Sequence, residues 1–289
     1  MGQIISIVNQ KGGVGKTTTV INVGAALAEM KKRVLLVDLD PQGNLSAGLD
    51  ISPEKIEEKN SYNALVEDSP LEANIVETKI DGLHIVPADT NLAGAEVELA
   101  GLMAREFRLA NSLTPRITEY DFVLIDCPPS LGLLTLNALC ASNSYLVPLQ
   151  TEFFALQGLT HILKTTDLVK RHLNKNLNEA GILLTMFDSR SNLSKQIFQE
   201  VRGFAGERVF NAVIPRRVRL AESTSHGVPG VVYDPTCLGV RSYVEVAQEL
   251  VARTEGKKMV SSLGSVVPPD PVDRLQPLKE ENRSPETQV

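Results

Sequence analysis

A glycine-rich stretch near the amino terminus, residues 11–18, constrains the fold of this 289-residue chain more than any other feature. It follows an apolar run at residues 4–9 and precedes a helical pattern at residues 17–30, which predicts a strand, a loop and a helix in that order. Glycines let backbone N–H groups approach an anion closely, and a helix amino terminus behind the loop adds favourable polarity. The stretch therefore predicts a phosphate-binding loop.

The residue types within this loop indicate a nucleoside triphosphate with Mg²⁺, and ATP is the expected nucleotide. The Lys16 ammonium is spaced to reach the β- and γ-phosphates during catalysis, and the Thr17 hydroxyl to coordinate the metal ion. The predicted nucleotide-binding residues of the loop are Lys11, Gly12, Gly13, Val14, Gly15, Lys16, Thr17 and Thr18.

A second lysine departs from the usual pattern of such loops. The generic pattern has a glycine five residues before Gly15, where this chain has Gln10, and Lys11 follows. Because Lys16 already serves the β/γ oxygens within one subunit, Lys11 has a role only if it meets additional negative charge. We predict that Lys11 reaches the nucleotide of a partner subunit and acts in trans, as an arginine finger does. The alternative is a solvated lysine at the loop edge.

Carboxylates follow two further apolar runs, at residues 34–37 and 122–125. The carboxyl ends of parallel strands face the crevice in which ligands bind. Asp126 is therefore expected to hold Mg²⁺ through water, with Asp38 supporting the metal region. Asp40 is the candidate that positions the attacking water. An Asp-x-Asp pair alone is a weak indication, because turn and capping roles are more common.

The remaining pattern alternates short continuous apolar runs with longer helical stretches. Strands are predicted at residues 4–9, 34–38, 83–87, 122–126, 144–149, 181–186 and 208–213. Helices are predicted at residues 17–30, 96–118 with a break near 114–115, 133–141, 156–174, 193–204 and 243–253. Continuous apolar strands need helices on both sheet faces, and strand–helix alternation implies right-handed crossovers. The predicted fold class is α/β, with a mostly parallel β-sheet flanked by helices on both faces.

One ATPase domain is predicted over residues 1–253, followed by a proline-rich tail at residues 254–289. The tail holds five of the sixteen prolines and few large apolar side chains, so we expect it to be disordered. Three cysteines without paired spacing argue against a disulfide framework, and the amino terminus has no secretory signal pattern. These features favour a cytoplasmic protein. The net charge of -6 does not favour nucleic acid as a partner, but a local basic patch is what binds phosphates.

These motifs together resemble those of the ParA/Soj family of DNA-partitioning ATPases, which are P-loop NTPases with a deviant Walker A loop. The resemblance covers essentially residues 1–253. The motifs that carry it lie at residues 9–19, 38–44, 126–132, 184–188, 214–216 and 225–227.

The resemblance implies that Lys11 is the signature lysine that crosses an ATP sandwich homodimer, with Gly12 at the close dimer contact. It implies that Asp40 is the hydrolytic carboxylate and Asp126 the Walker B residue. The positions that resemble those flanking adenine are Met186, Phe187 and Pro215. The ATP-bound dimer would bind DNA of the bacterial nucleoid without sequence preference, until a ParB-type partner stimulates hydrolysis and releases it.

Arginines after two of the apolar segments form the expected DNA patch. Arg190 and Arg219 match family positions that contact DNA, whereas Arg217 stands where relatives often have a neutral residue. All three are predicted to contact DNA. Arg216 belongs to the same cluster, and its alternative role is structural. A solvated charged face is the competing interpretation of such a run. If the patch binds DNA, affinity will fall steeply with salt, because phosphate contacts drive it.

Three other functions stay open. A membrane-positioning ATPase of the MinD type needs an amphipathic carboxyl-terminal helix, and the proline-interrupted tail argues against it, so no membrane partner is expected. An iron–sulfur reductase that shares the loop needs two cysteines per subunit at a dimer axis, for which Cys127 and Cys140 are the candidates. A ParA relative that positions a cargo other than DNA would keep the same motifs.

Overall fold

A computed structural model of the chain describes residues 2–113 and 115–256. Its strands are β1 Gln3–Ile7, β2 Val34–Asp38, β3 Val76–Glu77, β4 Leu83–Val86, β5 Phe122–Asp126, β6 Ser144–Gln150 and β7 Asn178–Thr185. They form one seven-stranded sheet in the order β3-β4-β2-β5-β1-β6-β7. Neighbouring strands run parallel except for the antiparallel pair β3 and β4. The predicted mostly parallel sheet is confirmed.

Helices connect the strands. They are α1 Lys16–Glu29, α2 Asn44–Ala47, α3 Pro53–Glu58, α4 Ser61–Leu65, α5 Leu92–Ala100, α6 Arg108–Ser112, α7 Leu133–Ala141, α8 Ala155–His172, α9 Asn192–Ala205, α10 Val218–Ser225, α11 Gly230–Tyr233 and α12 Leu238–Thr254. Short 3-10 turns occur at Leu71–Asn74, Arg105–Phe107, Pro115–Glu119 and Gly206–Arg208.

Alternate residues of the central strands enter two separate apolar clusters, because successive side chains of a strand point to opposite faces. In β2, Leu35 and Val37 belong to one cluster, and Val34 and Leu36 to the other. Helices α7, α8 and α9 complete the first cluster, and α1 and α12 complete the second. Burial of each such leucine or valine side chain contributes about 1.5–3 kcal/mol. Both sheet faces are therefore covered by helices, as predicted.

The helix predicted at residues 96–118 with one break near residues 114–115 is wrong in its length, because this segment forms several short helical pieces. Ala104 has a left-handed conformation with a φ of 52°, which interrupts a right-handed helix. The Asn137 side chain of α7 stabilises the interruption. Its Nδ2 donates to the Arg105 carbonyl at 2.8 Å, and its Oδ1 accepts the Leu109 N–H at 3.1 Å.

The strand predicted at residues 208–213 is also wrong. Within the described part of the chain, this segment pairs with β7 through one isolated bridge, at Val209. The Glu249 carboxylate of α12 instead accepts the N–H groups of Asn211 at 2.9 Å and Ala212 at 3.3 Å. A buried side chain thus satisfies backbone donors that a neighbouring strand would otherwise bind.

The last helix, α12, ends at Thr254, next to the predicted domain boundary. Most of the predicted disordered tail, residues 257–289, lies outside the described residues. Among the described helices, none combines the length and the apolar character that crossing a membrane requires.

Candidate nucleotide-binding site

Three adjacent strands, β2, β5 and β1, end at the same edge of the sheet and bring the predicted residues together. Asp38 and Asp126 are register partners at the ends of β2 and β5. Ile7, the last residue of β1, also pairs with Asp126. The glycine-rich loop that follows β1 therefore starts beside both carboxylates, at the edge where ligands of open parallel sheets bind.

Glycines allow the loop to turn directly into α1. Gly13 and Gly15 have φ values of 75° and 91°, in the left-handed region that disfavours a side chain. Gly15 immediately precedes α1, which starts at Lys16, and no side chain of the described residues caps this helix end. The first N–H groups of α1 are therefore available to bind an anion.

Polar side chains fix the loop to the neighbouring strands. The Asn9 side chain accepts the Lys11 N–H at 3.0 Å and donates to the Pro148 carbonyl of β6 at 2.7 Å. The Thr185 hydroxyl at the end of β7 donates to the Val14 carbonyl at 2.9 Å. Contacts with β6 and β7 thus hold the loop in place.

The Lys16 side chain is only 6% exposed and brings a positive charge into the site. Its Nζ donates to the Lys11 carbonyl at 3.3 Å. Burial lowers the pKa of this ammonium, and the negative charges of Asp126 and Asp40 oppose that effect. Because a buried ammonium is costly without full compensation, the site favours an incoming anion.

Asp126 is fully buried, and neither of its carboxylate oxygens has a hydrogen-bond partner among the described residues. Burial, followed by the charge of Asp38, raises the pKa of this carboxyl well above its ordinary value. The Thr17 hydroxyl is close enough to lower that pKa, although the two groups do not reach hydrogen-bond geometry. An orphaned carboxylate beside a hydroxyl fits a divalent cation, which prefers oxygen ligands.

The protein alone supplies few ligands for such a cation. Residues 2–113 and 115–256 contain no group of three or more His, Cys, Asp or Glu side chains that could hold a metal ion. Phosphate and water oxygens would therefore have to complete the coordination, as they commonly do for Mg²⁺.

Asp38 and Asp40 have different surroundings. Asp38 Oδ1 accepts the Asp40 N–H at 3.1 Å, and its Oδ2 accepts the Ser46 hydroxyl at 2.9 Å. Burial is the main cause that raises the pKa of Asp38 to about 7. Asp40 Oδ1 accepts the Gln42 N–H at 3.0 Å. Asp38 therefore positions the segment that carries Asp40, and its predicted contact with the metal stays a prediction.

A cavity of about 330 Å³ opens beside the end of the loop. Its walls include Gly15 together with Met186 and Pro215, two of the residues predicted to flank adenine. The third, Phe187, does not line it. The Phe187 ring is 3% exposed and packs against the ring of Phe198 in α9, with a centroid distance of 5.6 Å. The structure thus brings two of the three predicted residues to the cavity and places the Phe187 ring in the core.

The Lys11 side chain lies on a different face of the loop. It is 51% exposed and forms an ion pair with Glu152, in the segment after β6. Gly12 beside it is exposed. The neighbouring rings of Phe153 and Phe154 are 72% and 66% exposed. This face therefore combines a charged pair, an open glycine backbone and two exposed aromatic rings, a combination that suits contact with another surface.

The three arginines predicted to contact DNA lie on the adjacent segments that follow β7 and precede or begin α10. Arg190 is 89% exposed and pairs with Asp188 at 3.2 Å. Arg219 is 60% exposed and pairs with Glu222 at 3.1 Å. Exposed pairs of this kind contribute little to stability, so both arginines can exchange their partners for phosphates. Arg217, in contrast, lines the cavity beside the loop.

Sequence reasoning missed two positions that support the site. The Ser46 hydroxyl bonds Asp38 and also accepts the Ala88 N–H at 3.1 Å, which ties α2 to the end of β4. Tyr243 of α12 is buried, and its hydroxyl shares a hydrogen bond of 3.2 Å with Thr19 of α1. Each contact joins segments that are distant in sequence, so no local pattern could have indicated it.

Cys127 and Cys140, the candidates for an iron–sulfur site, differ in exposure. Cys127 is fully buried, and Cys140 is partly buried in α7. Burial raises the pKa of both thiols, that of Cys140 to about 11. A raised pKa leaves little thiolate at neutral pH, which favours a packing role for both.

The sequence and the fold of this chain match known proteins over most of its length. A family model of an AAA domain matches residues 2–179. The chain is 51% identical over 257 residues to the chromosome partitioning protein ParA of Myxococcus xanthus, covering 89% of this chain and 90% of that protein. It is 50% identical over 252 residues to the sporulation initiation inhibitor protein Soj of Bacillus subtilis, covering 87% and 99% respectively. A crystal structure of cobyrinic acid a,c-diamide synthase from Mycobacterium smegmatis with bound ADP and magnesium is 37% identical, with a TM-score of 0.77, and covers 91% of this chain and 100% of that one.

Proposed function

The chain belongs to the ParA/Soj family of chromosome-partitioning ATPases, and we propose that it is an ATP-dependent dimerisation switch that holds DNA. The contrast between two lysines of one loop carries this proposal. Lys16 is buried among the carboxylates of its own subunit, whereas Lys11 is half exposed on another face and is paired only with Glu152 among the described residues. Lys16 therefore binds the β- and γ-phosphates of its own nucleotide, and Lys11 reaches the nucleotide of the partner subunit, with Gly12 at the contact.

The proposed reaction is hydrolysis of ATP to ADP and phosphate. Asp40 orients the attacking water. Its carboxylate accepts the Gln42 N–H, and its own backbone N–H donates to the Asp38 carboxylate. Lys16 and Lys11 offset the negative charge of the transferred phosphoryl group. The geometry that supports this role is a nearly buried Asp40 at the same sheet edge as the loop.

Thr17 and Asp126 are the residues that would hold Mg²⁺. The support is the buried, unpartnered carboxylate of Asp126 beside the Thr17 hydroxyl. When bound, the ion neutralises charge on the phosphate oxygens. The related structure from Mycobacterium smegmatis was determined with ADP and magnesium, which is consistent with a nucleotide bound together with Mg²⁺.

The ATP-bound dimer is proposed to bind DNA without sequence preference through Arg190 and Arg219. Dimerisation doubles the number of arginines that meet phosphates, so affinity rises when two subunits join. A ParB-type partner stimulates hydrolysis, the dimer dissociates, and the DNA is released at the nucleoid in the cytoplasm. Residues 1–253 carry this cycle as one domain, and we assign no role to residues 254–289.

DNA binding measured with ATP, with ADP and without nucleotide, alongside size-exclusion chromatography, tests the switch. We expect a dimer and salt-sensitive DNA binding with ATP, and a monomer with weak DNA binding in the other two states. Equal DNA binding in all three states would contradict the switch. ATP-dependent sedimentation with anionic lipid vesicles, without DNA binding, would favour a MinD-type function instead.

An Asp40→Ala variant separates assembly from hydrolysis. It is expected to bind ATP, dimerise and retain DNA, but to lose turnover, because the attacking water is no longer oriented. Asp81→Ala is the matched control, since Asp81 is exposed in the turn before β4, far along the chain from the loop. Normal phosphate release by Asp40→Ala would show that another group orients the water.

A further inference from the structure

Arg217 and Arg219 are two residues apart, yet the fold gives them different surroundings. Arg219 pairs with Glu222 at 3.1 Å and lies 4.0 Å from Asp234. Arg217 immediately precedes α10 and lines the cavity beside Gly15. The sequence predicts a DNA contact for both arginines, but the structure separates them.

The stem of Arg217 packs against the first turn of α12. A Cβ atom at Gly239 would lie 3.5 Å from Arg217 Cγ, and Tyr243, one turn further along α12, lines the same cavity. None of the ion pairs within residues 2–113 and 115–256 involves Arg217. Its guanidinium is therefore not committed to a carboxylate of the described chain.

The cavity has the size and lining of a site for an aromatic base. Its volume is about 330 Å³, and its apolar walls include Met186, Pro215, Leu220 and Ala221. Small-ligand sites of this size are typically apolar with a few polar groups that orient the ligand. Because Gly15 and Thr18 border the cavity, a nucleotide with its phosphates in the loop can direct its base here.

We propose that Arg217 binds the nucleotide, with its guanidinium stacked on the purine base, and does not contact DNA. A guanidinium is planar, weakly hydrated and suited to stacking on aromatic rings, which makes it the polar complement of the apolar walls. The inference rests on the proposed function, since it assumes that the loop binds ATP. The base is common to ATP and ADP, so Arg217 contributes equally to the affinity for both.

Calorimetric titration of the full chain with ADP and with a non-hydrolysable ATP analogue tests this assignment. Arg217→Ser is expected to weaken both ligands by a similar factor, about 3–10-fold, the range of a partly exposed cation–π contact. Arg171→Ser is the control, because Arg171 is an exposed arginine of α8 paired with Asp167, and it is expected to change neither affinity. Thermal unfolding of each variant checks that the fold is intact, and Arg217→Lys, which keeps the charge but loses the planar group, replaces a poorly folded serine variant.

DNA binding at saturating nucleotide provides the second readout. The slope of log affinity against log salt is expected to be the same for Arg217→Ser and the unmodified protein, because no phosphate contact is lost. Unchanged nucleotide affinity, a loss confined to the ATP analogue, or a shallower salt slope would each overturn the assignment. Tight nucleotide binding by a Lys16→Ala variant would refute the proposed function itself. If Lys16→Ala loses nucleotide binding but Arg217→Ser binds normally, only this inference is refuted.

Discussion

The centre and the rim of the site hold charges in opposite ways. At the centre, Asp38 and Asp126 at the ends of β2 and β5 and Lys16 at the start of α1 are almost completely buried. At the rim, Arg190 and Arg219 are 89% and 60% exposed, and their ion pairs are with exposed or partly exposed carboxylates. Both regions are suited to bind phosphate groups, but the free-energy cost of keeping their side chains charged differs.

A buried charge loses its hydration, and the fold retains it only with compensation from nearby charges or from a ligand. An exposed arginine keeps its hydration, so its charge costs almost no free energy, and salt screens its interactions with other charges. Changes at the centre should therefore act nearly all-or-none on nucleotide binding. Changes at the rim should act gradually, one phosphate contact at a time.

Among the variants, Lys16→Ala is expected to have the largest effect on nucleotide binding at the centre. Removal of the buried ammonium is expected to weaken ATP binding at least about 100-fold, because a charge-assisted contact in a desolvated site is lost. Titration of ATP measures the effect. Lys164→Ala, which removes an exposed lysine of α8, is the control. Tight ATP binding by Lys16→Ala would show that the centre does not work as a unit.

The pH dependence of the free energy of unfolding tests the buried carboxyl groups of the centre. The pKa of Asp38 is about 7 in the fold and 3.8 for an ordinary aspartate, so the folded state binds more protons between these values. Stability of the nucleotide-free protein should therefore fall as pH rises from about 4 to 7, by at most about 4 kcal/mol from this group. Urea denaturation across this range measures the decline.

Asp126→Asn isolates the contribution of the centre to this decline. The pKa of Asp126 is also raised by burial, and its oxygens have no hydrogen-bond partner among the described residues. The variant should therefore lose less stability between pH 5 and 7 than the unmodified protein. Carboxyls with a lowered pKa, such as Asp50 and Asp188, act below this window and do not obscure the result. Parallel pH profiles for the two proteins would contradict the argument.

Arg219→Gln would change the rim by a moderate and graded amount. Each lost phosphate contact lowers the slope of log affinity against log salt by about 0.9, so a dimer should lose about 2 from its slope. Filter binding at several salt concentrations measures this, with dimerisation checked by size-exclusion chromatography. Arg171→Gln, far from the rim on α8, should leave the slope unaltered. An unchanged slope in Arg219→Gln would remove this arginine from the proposed DNA surface.

Glu152→Gln should have the smallest effect. The ion pair between Lys11 and Glu152 is half exposed, and such pairs contribute at most about 1 kcal/mol. Release of Lys11 from Glu152 should therefore tighten ATP-dependent dimerisation by no more than about fivefold. Analytical ultracentrifugation with a non-hydrolysable ATP analogue measures the dimer constant. Weaker dimerisation would mean that Glu152 serves the assembled dimer rather than the single subunit.

Strands were the most predictable part of the fold. The boundaries of β2 and β5 agree with the predictions, because continuous apolar runs followed by aspartate mark both strands locally. The predicted helix at residues 96–118 and the strand at residues 208–213 failed for one shared reason. In both places a distant side chain, Asn137 or Glu249, binds backbone groups that local structure would otherwise use.

The sequence by itself determined the loop, the bounds of strands β2 and β5, and the acidic residues at the ends of these two strands. These follow from local properties, namely the glycine positions, the apolar runs and the direction of parallel strands. Only the tertiary structure decided that Lys11 pairs with Glu152 and that the Phe187 ring lies in the core. It also decided that Arg217 lines the cavity, whereas Arg219 pairs with Glu222. Those outcomes depend on which side chains meet across segments far apart in the chain, and packing, not local pattern, selects such contacts.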